Sequence, residues 1–120
     1  MSNPQKNVYK KLLGVKGELT AKKYLKDKGY KILEVNYRTK FGEVDLIGLY
    51  ADFLVFIEVK TRTEKYYGEP CEAVGFDKQR RYRLAAEYYM MTHRDLDLQP
   101  RFDVVEIFLD QINHIEDAFQ

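Results

Sequence analysis

The chain has 120 residues, of which 45% are apolar and 32% charged, and its formal net charge is +1. This length suits one domain with its own core, and the small net charge argues against a protein that coats nucleic acid through bulk charge. The single cysteine excludes an internal disulfide, and no run of roughly 18 apolar residues is present. Since the first residues also lack a secretory leader pattern, we expect a cytoplasmic protein with no membrane partner.

The first predicted element is a helix over residues 7–28, followed by Gly29 as its C-cap. Lysines separate apolar residues that recur at helical spacing, namely Val8, Leu12, Val15, Leu19 and Leu25. Residues 1–40 hold 11 Lys/Arg against 3 Asp/Glu. This imbalance indicates either a basic surface around a local acidic centre or simply a solvated helix face.

Strands and a second helix follow in the prediction. Residues 30–38 predict a strand, and residues 41–62 predict a hairpin of two more strands. After a turn-rich segment at 68–75, a second helix is expected from Asp77, as N-cap, to about His93. Its buried face would contain Tyr82, Ala85, Ala86 and Tyr89.

Two further strands, over residues 101–109 and 112–119, complete the predicted order α-β-β-β-α-β-β. We therefore expect one α/β domain over residues 1–120, with a mixed sheet flanked by helices.

The hairpin at residues 41–62 has a register that can be predicted from its apolar residues. If Ala51 and Asp52 form a two-residue turn, Tyr50 faces Phe53 and each further pair follows by alternation. Leu49–Leu54, Ile47–Phe56 and Leu46–Ile57 then pair as apolar partners, whereas a slip of one residue would break this match.

The same register places Asp45 directly opposite Glu58, and Glu43 opposite Lys60. Two opposed carboxylates repel each other, so they must share a proton or hold a cation. Carboxylate oxygens, with a backbone carbonyl such as that of Val59, suit Mg²⁺ or Mn²⁺. With the Lys60 ammonium nearby, this composition favours hydrolysis of a phosphodiester bond.

The alternative is a set of ion pairs at the end of the hairpin, Glu43 with Lys60 and Glu58 with Arg62. The opposition of Asp45 and Glu58 argues for the cation, whereas Glu43 could be an outer partner of Lys60 or simply exposed. His93 and His114 stand far apart in the sequence from each other and from Cys71, which argues against zinc.

Several motifs together resemble the YraN-like family of predicted bacterial endonucleases, in order along nearly the whole chain. They are GVKGELTAKKYLKDKGY (14–30), NYRTKFGEVDLIG (36–48), FIEVKTR (56–62), YGEPCEAV (67–74), DKQRRYRLAAEYY (77–89) and RFDVVEI (101–107). The resemblance implies the PD-(D/E)XK nuclease fold, a restriction-endonuclease-like mixed sheet similar to that of archaeal Holliday-junction resolvases.

This resemblance also implies a site. A helix acid, Glu18, would join Asp45 and Glu58 as metal ligands, and Lys60 would be the catalytic lysine. Gly14 and Gly17 would let the helix approach another backbone closely. Phosphate contacts are expected at the following residues: Arg62, Lys78, Gln79, Arg80 and Arg81.

The leading hypothesis is therefore a Mg²⁺- or Mn²⁺-dependent DNA endonuclease that prefers branched DNA and acts as a homodimer, by analogy with resolvases. The alternatives are a non-catalytic nuclease-fold module that binds nucleic acid or protein, and an interaction domain with no nucleic-acid partner.

Overall fold

The structure, a computed structural model, describes residues 4–62 and 75–120, and their side chains from Leu12 onward. Two helices and five strands occur in the predicted order. Their bounds are α1 Pro4–Lys28, β1 Lys31–Thr39, β2 Gly42–Tyr50, β3 Phe53–Arg62, α2 Phe76–Thr92, β4 Gln99–Phe108 and β5 Gln111–Phe119. The predicted turn-rich segment at 68–75 lies, up to residue 74 and including Cys71, outside the described residues.

The five strands form one mixed sheet in the order β1-β2-β3-β4-β5. All neighbours are antiparallel except β3 and β4, which are parallel and have α2 between them in the chain. A parallel pair needs such a long crossover, usually through a helix. The mixed sheet flanked by helices that the sequence predicts is thus confirmed.

The two helices lie on opposite faces of the sheet. Ala21 and Leu25 of α1 pack in one buried cluster with Leu46, Val55 and Ile57. The buried residues of α2 pack in the other cluster, with Val44, Ile47, Leu54 and Phe56. Because both faces are covered, the central strands are apolar on both sides near the β2–β3 turn.

The predicted hairpin register is confirmed from the turn as far as Leu46 and Ile57. Beyond that pair the β2–β3 ladder stops, so the predicted backbone pairings of Asp45 with Glu58 and of Glu43 with Lys60 are wrong. The two strands part here, which leaves room for side chains between them.

The predicted apolar face of α1 is wrong in part. Leu12, Val15 and Leu19 are 63%, 50% and 63% exposed, whereas Leu25 is buried as predicted and packs against the sheet with Gly17 and Ala21. The smaller residues allow α1 to lie close to β3: a Cβ on Gly17 would stand 2.0 Å from Thr61 Oγ1. The close approach expected at Gly17 is present, whereas Gly14 has no neighbour within 4 Å of such a Cβ.

The ends of the helices follow simple capping rules. Gly29, at φ +110°, ends α1 as predicted, with Tyr30 N donating to Leu25 O at 2.9 Å. Helix α2 begins at Phe76 with Gly75 as N-cap, so Asp77 lies in the first turn and is not the cap. The predicted buried residues Tyr82, Ala85, Ala86 and Tyr89 are all in the core. Neither described helix combines the length and hydrophobicity required to cross a membrane.

Candidate functional site

Asp45 lies where β2 and β3 separate, and its carboxylate takes part in the pairing of the two strands. Val59 N donates to Asp45 Oδ2 at 2.8 Å. Burial raises the pKa of Asp45 to about 6, and the negative charges of Glu58 and Glu18 also raise it. The hydrogen bond from Val59 and the positive charge of Lys78 lower this pKa. Asp45 is therefore surrounded by the acids that the sequence predicts, although it is not a ladder partner of Glu58.

Glu58 is a buried carboxylate, only 1% exposed, between two lysines. Its Oε1 contacts Lys78 Nζ and lies 3.5 Å from Lys60 Nζ. Its Oε2 is buried and has no hydrogen-bond partner among the described residues. A buried carboxylate oxygen without a partner is costly, so Glu58 Oε2 is a candidate ligand for a cation.

Glu18 reaches this region because of the residue before it. Gly17 allows α1 to rest against Thr61, one residue after Lys60. The Glu18 side chain is partly buried and close enough to raise the pKa of Asp45. The helix acid implied by the family resemblance therefore acts on Asp45 through its charge, although α1 and α2 lie on opposite faces of the sheet.

An open cavity of about 290 Å³ adjoins the carboxylates between the β1–β2 turn and α2. Gly42 is needed at this position, because its φ is +154° and a Cβ would lie 3.2 Å from Arg81 Cβ. The cavity contains acidic and basic side chains together: its lining is Gly42, Glu43, Asp45, Lys78, Arg81 and Tyr82.

Asp45 and Glu58 are the candidate ligands for a divalent cation. Within residues 12–62 and 75–120, no group of three acidic, histidine or cysteine side chains is arranged to hold one metal ion. Asp45 and Glu58 alone fit, because both are oxygen donors, they repel each other, and Glu58 Oε2 has no partner in the described chain. Glu18 is an electrostatic neighbour of this pair in the present arrangement.

The other predicted contact residues are more scattered. Lys78 and Arg81 line the cavity, Arg80 is exposed on the same turn of α2, and the Gln79 N–H donates to Gly75 O. Arg62 Nε donates to Glu106 Oε2 at 3.0 Å. Glu43 lies 3.6 Å from Arg38 Nε.

The comparisons with known proteins agree with one another. Residues 17–107 match the model of a family described as "Uncharacterised protein family UPF0102". The chain belongs to the UPF0102 family. The matched range includes Glu18, Asp45, Glu58, Lys60 and Lys78.

UPF0102 proteins of several bacteria are similar to this chain over nearly their whole length. One from Caldanaerobacter subterraneus subsp. tengcongensis is 46% identical over 95% of this chain and 99% of its own. Others from Alkaliphilus oremlandii and Rhodococcus opacus are 45% and 46% identical, over 91% and 89% of this chain and 98% and 95% of their own.

This UPF0102 chain also contains a buried polar network that the sequence analysis missed. Arg101 Nη2 and Tyr30 OH donate to Asp103 Oδ2 at 2.9 and 3.2 Å, and His114 Nε2 lies 2.8 Å from the same oxygen. Burial would raise the pKa of Asp103, but hydrogen bonds from His114, Arg101 and the Asp117 N–H hold it below its ordinary value.

A signal for this network was present in the sequence. Arg101 and Asp103 stand two apart in an apolar strand, so they share a face, and charges within such a strand need partners. His114 Nδ1 lies 3.2 Å from Tyr24 OH, which connects the network to α1. The network ties the end of α1 to β4 and β5.

Proposed function

We propose that this protein is a metal-dependent endonuclease of the PD-(D/E)XK type that hydrolyses phosphodiester bonds in DNA. The observation that carries the proposal is the environment of the Glu58 carboxylate. This carboxylate is buried beside Asp45, contacts two lysines through one oxygen, and leaves the other oxygen without a partner among the described residues. A purely structural ion pair would not require a second acid at Asp45, with a pKa raised to about 6.

In the proposed reaction, the carboxylate oxygens of Asp45 and Glu58 would hold Mg²⁺ or Mn²⁺. A bound divalent cation would polarise the phosphate and lower the pKa of a water molecule. Glu18 adds negative charge from α1, which strengthens the attraction of the site for a cation.

Lys60 is the proposed catalytic lysine. Its Nζ stands 3.5 Å from Glu58 Oε1, and its side chain is only 18% exposed. An ammonium held there can orient the attacking water and offset the charge that develops on the phosphate oxygens.

Lys78 and Arg81 carry the proposed contacts with the DNA backbone. Both line the cavity beside Asp45, so a phosphate entering the cavity would meet two cations. Each phosphate neutralised in this way would add about −0.9 to the slope of log affinity against log salt for duplex DNA. The preference for branched DNA, and a homodimer that makes paired cuts, rest on the similarity to resolvases.

The test is a cleavage assay with branched, flapped and linear DNA in Mg²⁺ or Mn²⁺. The wild type should cut at least one of these substrates, and Glu58→Gln or Lys60→Met should each lower the rate by about 100-fold or more. Glu87→Gln, which changes an exposed glutamate of α2, is the matched control and should cut as the wild type does. Cleavage that persists in the combined Glu58→Gln/Lys60→Met variant would rule the proposal out.

A second candidate function, a binding module without catalysis, is favoured by one observation. Lys60 and Lys78 both contact Glu58 Oε1, so the carboxylate is already compensated by protein cations. Such a module would bind DNA equally well with and without a divalent cation. Calorimetric titration with Mn²⁺ separates the two functions, because uptake that is lost in Glu58→Gln supports the enzyme.

A further inference from the structure

A second cavity lies beside the proposed active site, at the other end of the β1–β2 turn. It has a volume of about 450 Å³, within the range of roughly 300–1,000 Å³ that is usual for small-ligand sites. Its described lining is Arg38, Thr39, Lys40 and Tyr88. Both cavities lie between the β1–β2 turn and α2.

The two cavities follow one face of α2. Lys78, Arg81 and Tyr88 are spaced at i, i+3 and i+10, so they project from the same side of the helix. From Arg81 to Tyr88 the helix rises by about 10 Å. This is about three nucleotide steps along one DNA strand, at about 3.4 Å each.

The turn that forms the other wall is held in place by its own hydrogen bonds. Thr39 Oγ1 accepts the N–H groups of Phe41 and Gly42 at 3.0 and 3.2 Å, and donates to Gly42 O at 3.0 Å. The hydrogen bonds therefore fix the backbone on both sides of Lys40, which lines the cavity with Tyr88 of α2. Lys40 Nζ lies 5.2 Å from the centre of the Phe41 ring.

The aromatic group in this cavity does not belong to either core cluster. Tyr88 is 44% exposed. The Phe41 and Tyr88 rings meet edge to face, with their centroids 6.4 Å apart. Phe41 thus supports a ring whose outer part faces solvent. The Arg38 side chain is 78% exposed, and its pairing with Glu43 at 3.6 Å is weak enough to yield to a phosphate.

An exposed aromatic ring that shares a cavity with cations is the usual composition of sites for single-stranded nucleic acid. The ring stacks on a base, and the cations follow the backbone. A base inside a duplex is already stacked on its neighbours and cannot reach Tyr88. An acidic peptide would satisfy the cations but would leave the ring without a stacking partner.

We propose that the cavity between Lys40 and Tyr88 binds one unpaired nucleotide of DNA, with its base on the Tyr88 ring and its phosphate against Arg38 and Lys40. The inference deepens the proposed function and rests on it for the path of the strand past Asp45 and Glu58. The substrate class is then DNA with a single-stranded segment near the bond that is cut.

The test measures binding alone, with the full chain in EDTA so that no metal-dependent cleavage takes place. Fluorescence anisotropy gives the affinity for a short oligothymidine and for a blunt duplex at the same salt concentration. Tyr88→Ala should weaken single-strand binding roughly 5- to 100-fold, the range expected for the loss of one stacked base, and should leave duplex binding unchanged. Tyr88→Phe keeps the ring and should stay within about twofold of the wild type.

Two further readouts guard against a folding defect in Tyr88→Ala. A fluorescent adenine analogue in the strand should be quenched by the wild type and by Tyr88→Phe. Lys40→Gln, in the turn, should lower the salt slope of single-strand binding by about 0.7, which is the loss of one phosphate contact. Met91→Ala removes another exposed side chain of α2 and should change neither the fluorescence quenching nor the salt slope.

Three results would overturn the inference: equal losses for single strand and duplex, no loss in Tyr88→Ala, or displacement of the strand by polyglutamate as readily as by oligothymidine. Cleavage by the wild type together with any of these results would refute this subsite and leave the proposed function standing. Selective single-strand binding through Tyr88 without any cleavage would support this subsite and refute the proposed function.

Discussion

Asp45 Oδ2 accepts the Val59 N–H at 2.8 Å, at the point where backbone pairing between β2 and β3 ends. The carboxylate occupies the place of a ladder hydrogen bond, so it satisfies a main-chain donor inside the sheet. The same contact holds Asp45 next to Glu58, whose charge helps to raise the Asp45 pKa. One hydrogen bond thus closes the hairpin and positions an ionisable group beside Glu58.

The Asp45→Asn substitution should make the protein less sensitive to pH. The folded pKa of Asp45, about 6, is above its ordinary value of 3.8, so the folded state holds this proton more tightly than the unfolded chain. The resulting stability is fully present below 3.8 and is lost as the pH rises through about 6. Asparagine is neutral and keeps an oxygen for Val59, so the variant should gain stability relative to the wild type across this window.

Urea unfolding at a series of pH values, in EDTA, measures this difference. A difference between variant and wild type that stays constant from acid to neutral pH would contradict the raised pKa. Repeating the series with Mg²⁺ should shift the pH range over which stability is lost to lower pH, and only in the wild type, because a bound cation favours the ionised carboxylate.

The Lys78→Met substitution should increase the affinity of the site for Mn²⁺. Lys78 Nζ contacts Glu58 Oε1 and thus competes with a cation for that carboxylate. Removing the ammonium should tighten Mn²⁺ binding by up to about tenfold, while DNA binding weakens through the loss of one cavity cation. Calorimetry measures the Mn²⁺ affinity, and Arg80→Met, on the same turn of α2, is the control. Equal Mn²⁺ affinities in the two variants would be evidence against the site.

The Gly17→Ala substitution should destabilise the protein although alanine favours helices. The new Cβ would stand 2.0 Å from Thr61 Oγ1, so α1 or Thr61 has to move, at a cost of about 1–3 kcal/mol. Gly14→Ala has no neighbour within 4 Å and should stabilise the helix by roughly 0.5–1 kcal/mol. Chemical denaturation measures both, and Thr61→Ala should restore much of the stability lost in Gly17→Ala; no rescue would mean that the clash is not the cause.

The Asp103→Asn substitution should be the most destabilising of these changes. Asp103 is fully buried and balances Arg101, whose side chain is 9% exposed, so the variant leaves a buried guanidinium without its counter-charge. A loss of about 3–5 kcal/mol is expected. Glu116→Gln breaks the neighbouring Lys28 pair, whose side chains are 35% and 43% exposed, and should cost less than about 1 kcal/mol. Urea denaturation of both proteins checks the contrast, and similar losses in the two would contradict it.

The sequence alone determined the order of the elements and the pairing near the turn of the hairpin. Alternating apolar residues specify the β2–β3 register from Tyr50–Phe53 to Leu46–Ile57, because any slip would turn apolar side chains toward the wrong face. The same reasoning identified the buried face of α2, where Tyr82 and Tyr89 fit a helical period. These features depend on local spacing, which the sequence contains directly.

Tertiary packing decided the rest. Leu12, Val15 and Leu19 have the spacing of a buried face, yet α1 turns Gly17 and Ala21 to the sheet, since small residues allow the closer approach. The alternation of side chains predicted Asp45 opposite Glu58, but the strands part after Leu46, and Asp45 instead accepts the Val59 N–H. The links of Lys78 to Glu58 and of His114 to Asp103 join residues 20 and 11 positions apart, and no local period encodes such distances. They exist only because the helices and strands are folded against one another.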